Sequence, residues 1–338
     1  MKPIISFCIP TFNRSKKLTE AVNGVLESID YAFNQGDRNN YEIIISDNDS
    51  SDETKEICLK YSNQFQTSKI SFRYIKNKFN IGPSNNLINI PKYSNATYVW
   101  FLSDDDLINR SAISEFLKIK GQDYDFIYAT RMLVDKNLNI SNLSQCQPDL
   151  RGSDSSFENG AQMVKKLGLE ITTILGFFSS LIIKRILWIK HISDKSQIGE
   201  FGYLNILLSA IKNSKCYIIA KPCVLCRLEY RGFKQKDTFV WIDDYLSVFV
   251  LAYKQGYDEE ICKKMTKSIL FSFSKSFVIE KASGHRNGNL YKISKEHLWF
   301  KYTPVDLYFL LSLFPSHLLR YLYFSFLHLK KLLKYFRG

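Results

Sequence analysis

Three consecutive aspartates, Asp104, Asp105 and Asp106, follow the apolar run of residues 98–102 after a single serine, Ser103. Adjacent carboxylates repel one another, and the repulsion grows as water is removed. A buried strand that ends on three negative charges therefore needs either water or a cation to offset them. Carboxylate oxygens are the ligands that Mg²⁺ and Mn²⁺ prefer. The alternative interpretation is a solvated turn that caps the following helix.

Short polar side chains also follow three other apolar runs. The segments are PTFNR (10–14), SDNDSSD (46–52) and NKFNIGPSNN (77–86). Each segment alone could be an ordinary turn or helix cap. In open α/β sheets, however, ligands bind outside the carboxyl ends of the strands. Four such strand ends on one edge predict a ligand site there.

The elements that position these residues alternate along the first 130 residues. Apolar β-type runs predict strands at 4–10, 41–46, 70–75, 98–103 and 125–130. Helical spacing predicts a helix at 16–33 and a short one at 81–90, and the pair Ser50 and Glu53 forms a capping-box pattern for a helix towards Tyr61. This alternation predicts an α/β fold with a mostly parallel sheet flanked by helices.

The composition points to an anionic partner in a reducing compartment. Lys and Arg number 46 against 33 Asp and Glu, so the formal net charge is +13. The seven cysteines are scattered and odd in number, as is typical of a reduced cytosolic protein. We see no secretory signal and expect a cytoplasmic location. Nucleic acid is a poor candidate partner, because the strand ends carry acidic and amide groups rather than a basic, aromatic platform.

Four segments together resemble the family 2 glycosyltransferases of the GT-A fold. They are ISFCIPTFNR, YEIIISDNDSSDET, NIGPSNN and YVWFLSDDDL, and they occur in that family's order and approximate spacing. The segment LGFFSSLIIKRILW (175–188) is similar to the abequosyltransferase-like branch, which acts in polysaccharide, O-antigen and capsule biosynthesis. The resemblance implies a nucleotide-diphospho-sugar transferase that uses a DxD-type metal motif with Mn²⁺ or Mg²⁺.

The resemblance also implies roles for individual residues. Asp106 is the expected metal ligand, Asp104 faces the ribose or diphosphate, and Asp105 lies between them. Asp47 resembles the residue that contacts the base or ribose. The other expected nucleotide-sugar-binding residues are Pro10, Thr11, Asn13, Arg14, Asn80 and Gly82.

The resemblance divides the chain into three parts. Residues 1–135 are the nucleotide-sugar-binding half, 136–235 the acceptor-binding half, and 236–338 a helical C-terminal region. An inverting transfer needs a general base. Glu200 is the best local match, with His191 and Asp194 as alternatives and a helix-capping role for Glu200 equally open. Inverting and retaining stereochemistry are both open.

The tail from residue 305 to 338 combines apolar and aromatic residues with five basic ones. Pro315, His317 and Arg320 interrupt its most apolar stretch, so we expect no spanning helix. Such a segment favours an anionic membrane interface; the alternatives are a core helix or an oligomer contact. We therefore expect a peripheral enzyme on the inner face of the cell membrane, with a glycan or lipid-linked glycan acceptor. The competing hypotheses are a basic nucleic-acid-binding protein and a non-catalytic sugar-binding homologue.

Overall fold

The computed structural model describes residues 2–65, 69–135, 153–168, 174–192, 201–227 and 238–268, with Pro315, His317, Leu318 and Tyr321. The chain forms two compact units, Met1–Arg231 and Gly232–Gly338. The polar stretch 136–152 and nearly all of the tail from residue 305 lie outside the described residues.

The first four strands form a parallel sheet in the order β3-β2-β1-β4. They are β1 (Ile5–Thr11), β2 (Tyr41–Asp47), β3 (Ile70–Lys76) and β4 (Tyr98–Phe101). The connecting helices are α1 (Ser15–Asn34), α2 (Thr54–Gln64) and α3 (Pro83–Asn89). The parallel arrangement aligns the strand ends, so the polar segments that follow β1, β2, β3 and β4 meet at one edge.

The part of the chain that follows β4 extends the same sheet. Its strands are β5 (Leu107–Ile108), β6 (Phe126–Val134), β7 (Ser155–Phe157), β8 (Leu181–Lys184) and β9 (Cys216–Arg227). Its helices are α4 (Ala112–Ile119), α5 (Gly160–Leu167), α6 (Arg185–His191) and α7 (Gly202–Ile211). The order continues β4-β8-β6-β9-β5, with β7 on β9.

Strand β8 makes the sheet mixed. It pairs antiparallel with both β4 and β6, so it lies between two strands that run in the same direction. β9 is parallel to β6 and antiparallel to β5 and β7. The α/β prediction is confirmed, with the refinement that the sheet is uniformly parallel from β3 to β4 and mixes parallel and antiparallel pairs beyond β4.

The core between α1, α4 and the sheet explains why these segments fold together. Leu18, Val22, Val25 and Ile29 are fully buried on one face of α1, as the spacing predicts. Burying such side chains stabilises the fold by about 1.5–3 kcal/mol each. The buried aromatic pair Phe7 and Trp100 stacks across β1 and β4 at 5.5 Å. This packing reinforces the pairing of β1 with β4, the strand that leads into the acidic residues.

The second unit is helical where it is described. Helix α8 spans Thr238–Lys254, and a further helix covers residues 259–268. Among the described residues, no helix combines the length and the apolar character needed to cross a membrane.

Candidate functional site

The carboxyl ends of neighbouring strands are joined by main-chain hydrogen bonds. Leu102 N donates to Cys8 O (3.0 Å), and Asn48 N donates to Thr11 O (2.9 Å). Asn77 N donates to Asp47 O (2.9 Å), which extends the series to the end of β3. The predicted juxtaposition of the four polar segments is therefore observed.

The first two aspartates of the acidic turn, Ser103–Asp106, are held by groups from β1 and its loop. Thr11 Oγ1 donates to Asp104 Oδ2 (2.7 Å). Arg14 Nη1 donates to Asp104 Oδ1 (2.8 Å) and to Asp105 Oδ2 (3.2 Å). Both oxygens of Asp104 are thus engaged, and the Arg14 guanidinium supplies positive charge to two of the three carboxylates.

Asp106 faces a different set of partners and is almost completely buried, with 4% of its surface exposed. Ser179 Oγ donates to its Oδ2 (2.6 Å), and the Arg227 main-chain N–H approaches its Oδ1 at a longer 3.4 Å. Burial raises the pKa of Asp106 to about 6 despite these hydrogen bonds and the lowering effect of the Arg131 charge. This carboxylate is therefore under-compensated, and a bound cation would stabilise its charged form.

The Arg131 guanidinium comes from β6 and lies over the Phe177 ring, with 4.3 Å from its central carbon to the ring centroid. This cation–π contact restrains the long side chain on the Asp106 side of the turn. Two cationic groups therefore act on the acidic turn, Arg14 from the loop after β1 and Arg131 from β6.

Asp47 is fully buried at the end of β2. Its Oδ1 accepts from Ser50 N (2.8 Å), and its Oδ2 accepts from the Tyr74 hydroxyl (2.7 Å). Burial, reinforced by this hydrogen bond, raises the pKa of Tyr74. Asp47 thus stabilises the loop after β2 through its hydrogen bond with Ser50 N. Its contact with a base or ribose stays a prediction.

The loop after β1 is tied to the loop after β2. Asn13 adopts a left-handed conformation (φ 52°), which asparagine tolerates better than most residues. Its N–H donates to Ser50 Oγ (2.9 Å), and its Oδ1 accepts from Ser51 N (2.8 Å). The capping-box prediction for Ser50 is wrong, because its hydroxyl is used by Asn13. Helix α2 begins at Thr54, whose N–H donates to Asp52 Oδ1 (3.1 Å).

An asparagine cluster fixes the loop after β3, and of its members the sequence predicted a role only for Asn80. Asn48 Oδ1 accepts from Asn77 Nδ2 (3.1 Å) and from Ile81 N (2.9 Å). Asn48 Nδ2 donates to Asn80 Oδ1 (2.8 Å), which also accepts from Gly82 N (2.9 Å). Gly82 has φ 83°, a value that strains other residues, and it leads directly into α3. The density of asparagines in SDNDSSD and NKFNIGPSNN was the signal available.

The predicted site residues fall into three groups. Thr11, Arg14, Asp104 and Asp105 are in direct contact, and Asp106 follows them in the same turn. Pro10 lies in β1, Asp47 ends β2, and Asn13, Asn80 and Gly82 lie in the loops that follow β1 and β3. Glu200 and Asp194 lie outside the described residues. His191 is described at the end of α6, with its Nδ1 2.8 Å from Leu187 O of its own helix.

Ser179 is the second contact that sequence reasoning missed. This residue lies in the largely apolar segment FFSSLII, in which no local pattern indicates a functional site. Within the described ranges, no group of three or more His, Cys, Asp or Glu side chains is arranged to hold a metal ion. A metal at the acidic turn would therefore take some of its ligands from a bound molecule or water.

The proteins similar to this chain include two curated relatives and a solved structure. Abequosyltransferase RfbV of Salmonella typhimurium is 27% identical over 240 residues, which are 69% of each chain. A GalNAc(5)-diNAcBac-PP-undecaprenol beta-1,3-glucosyltransferase of Campylobacter jejuni is 28% identical over 139 residues, 41% of each chain. The structure of residues 1–349 of TarS from S. aureus in complex with UDP superposes with a TM-score of 0.60 at 15% identity, covering 91% of this chain and 90% of that one.

The TarS likeness shows the fold alone, because 15% sequence identity is too low to indicate a shared activity or substrate. The family described as "Glycosyl transferase family 2" matches residues 6–185, which include β1 from its second residue, β2 to β4, the acidic turn and Ser179. This match covers more than half of the chain, and we conclude that the protein belongs to glycosyl transferase family 2 and is a glycosyltransferase of the GT-A fold.

Proposed function

We propose that this glycosyltransferase transfers a sugar from a nucleotide-sugar donor to a lipid-linked glycan acceptor, in a metal-dependent and inverting reaction of surface polysaccharide biosynthesis. The observation that carries the proposal is the acidic turn. Arg14 holds Asp104 and Asp105 in place, while the adjacent Asp106 remains buried and under-compensated.

The balance of charge at the turn argues for a cation. Arg14 and Arg131 bring two positive charges to three carboxylates. A nucleoside diphosphate adds further negative charge, and like charges at close range repel strongly where water is excluded. A divalent cation between the turn and the diphosphate turns that repulsion into attraction. An acidic turn therefore suits an anionic donor only when a metal accompanies it.

The donor set fits Mn²⁺ or Mg²⁺. Asp106 would supply a carboxylate oxygen, and the diphosphate and water would supply the other ligands, as these hard cations allow. A bound divalent cation acts as a Lewis acid that stabilises charge on the departing diphosphate. The protein's own part is to hold Asp106 in a dry position and to keep Asp104 and Asp105 aligned through Thr11 and Arg14.

Replacing Asp106 tests the metal. We expect Asp106→Asn, which keeps the size of the side chain, to lose the Mn²⁺-dependent rise in Tm that a nucleoside diphosphate gives the wild type. Transfer should fall in parallel, and excess chelator should reproduce both losses in the wild type. Asp30→Asn on the exposed face of α1 removes the same charge far from the turn and serves as the control. Full transfer by the wild type in chelator would rule out the metal.

Asp47 is proposed to contact the base or ribose in addition to shaping its loop. Asp47→Asn replaces one of the two carboxylate oxygens, which accept from Ser50 N and from the Tyr74 hydroxyl, with an NH₂ group that cannot accept. One of these buried hydrogen bonds is then lost, so we expect the free energy of unfolding to fall by about 1–3 kcal/mol. Tyr74→Phe removes the hydroxyl partner but leaves the carboxylate, and it serves as the matched variant. Calorimetry with nucleoside diphosphates separates the two roles: a nucleotide contact weakens binding in Asp47→Asn much more than in Tyr74→Phe. Equal affinities in the two variants would leave Asp47 with a loop-shaping role alone.

Glu200 is proposed as the general base that takes the proton of the acceptor hydroxyl. Glu200→Gln keeps the shape and removes the basic group. We expect donor binding to survive and transfer to fall by about 10²–10⁴-fold, the usual contribution of a general base. His191→Gln is the comparison, because that ring already contacts its own helix. Wild-type transfer by Glu200→Gln would exclude Glu200 and leave Asp194 as the next residue to test.

The acceptor and the location are proposed together. The Campylobacter relative is named for an acceptor carried on PP-undecaprenol, and the tail of this chain combines apolar and basic residues. Lys301, Arg320, Lys330, Lys331, Lys334 and Arg337 stand against Asp306 in residues 300–338. Each basic residue near an anionic membrane contributes about 1 kcal/mol of attraction. We therefore propose peripheral binding at the cytoplasmic face.

Charge removal in the tail tests this location. Changing Lys330, Lys331, Lys334 and Arg337 to Gln should reduce co-sedimentation with anionic liposomes, and high salt should do the same to the wild type. The control is four Gln substitutions at exposed lysines of the first unit, which lower the net charge equally: Lys55, Lys60, Lys69 and Lys120. Equal loss in both variants would show that net charge, and not the tail, governs binding. No binding of the wild type at low salt would exclude the membrane surface.

A further inference from the structure

Ser179 lies where two distant parts of the chain meet. It belongs to the short 3₁₀ turn Phe178–Ser180, just before β8. Its carbonyl oxygen accepts from Trp100 Nε1 (2.9 Å), and Trp100 is fully buried in β4. The pairing of Trp100 with Ile182 continues this contact into the sheet. The main chain at Ser179 is thus held by the strand that carries the acidic turn.

The Ser179 hydroxyl makes two hydrogen bonds to that turn, and their directions are fixed by chemistry. Ser103 N donates to Ser179 Oγ (2.9 Å), since a main-chain N–H can only donate. The single hydroxyl proton is then directed to Asp106 Oδ2 (2.6 Å). One side chain therefore sets the main-chain entry to the turn and the orientation of its last carboxylate.

This arrangement makes the two oxygens of Asp106 unequal. Oδ2 receives a short hydrogen bond from Ser179, whereas the contact that Oδ1 makes with the described residues is the longer 3.4 Å approach of Arg227 N. A hydrogen bond from a neighbouring group commonly orients a carboxylate so that its other oxygen meets a metal ion. Without the Ser179 hydroxyl, the Asp106 carboxylate could rotate about its side-chain bonds.

We propose that Ser179 is a positioning residue for the metal: it holds Asp106 through Oδ2 so that Oδ1 is presented to the cation. This inference rests on the proposed function, since it assumes a divalent cation at the acidic turn. Ser179 itself touches neither the cation nor the sugar. Removal of the Ser179 hydroxyl should therefore weaken metal binding without removing a metal ligand.

The experiment measures Mn²⁺ affinity directly, by calorimetry or by the electron paramagnetic resonance of free Mn²⁺. It uses the full-length protein with whichever nucleoside diphosphate stabilises the wild type. We expect Ser179→Ala to weaken Mn²⁺ binding by about 10- to 100-fold, the usual effect of losing a residue that orients a ligand. Ser179→Cys keeps nearly the same side-chain volume, but its thiol is a poor hydrogen-bond donor. It should therefore weaken Mn²⁺ binding to a similar extent, which would show that a packing defect does not explain the effect of the alanine variant.

Ser180→Ala is the matched control. Ser180 is the next residue, is also fully buried, and makes no hydrogen bond to the acidic turn, so its variant should bind Mn²⁺ like the wild type. Wild-type Mn²⁺ affinity in Ser179→Ala or Ser179→Cys, even with a lowered Tm, would show a purely structural role and overturn the inference. Failure of the wild type to bind Mn²⁺ with any nucleoside diphosphate would overturn the metal-dependent function and this inference with it, so the two failures are distinguishable.

Discussion

The constraint on which this structure depends is the electrostatic cost of three adjacent carboxylates at the dry edge of a sheet. The ion pair between Arg14 and Asp104 meets part of that cost and at the same time joins the loop after β1 to the end of β4. Thr11 reinforces the junction from the strand itself. Asp106 is left to a hydroxyl, a main-chain N–H and a more distant guanidinium, which do not fully offset its burial. Asp104 and Asp105 are therefore compensated by their partners, whereas the charge of Asp106 is not.

The loops around the turn are stiffened by neutral rather than charged groups. Asn13 and Asn48 each donate a hydrogen bond and also accept through Oδ1, and Asn80 Oδ1 accepts two. Amides hold loops in place without adding charge to an edge that already carries too much of it. Asp47 performs a similar task only because it is buried beneath its loop and accepts two hydrogen bonds there.

Much of the first half could be predicted from the sequence, because local patterns determine it. Apolar runs of strand length place β1 to β4, and the 3.6-residue spacing of Leu18, Val22, Val25 and Ile29 identifies the buried face of α1. The contacts that complete the site could not be predicted in this way. Ser179 lies 73 residues from Asp106 in the chain and reaches it only because β8 inserts beside β4. The capping pattern at Ser50 failed for a related reason, since a tertiary contact with Asn13 outcompeted the local cap.

The position of β8 between β4 and β6 also determines whether the first part of the chain could fold without the rest. β4 has β1 on one side and β8 on the other, while β6 lies between β8 and β9. A fragment that stopped near residue 135 would leave β4 with an open edge and β6 with neither neighbour. Open strand edges invite pairing with other chains. Residues 1–135 are consequently not a unit that can be exchanged alone: a chimaera between relatives would have to carry the 179–184 segment together with β4, the strand that it pairs with.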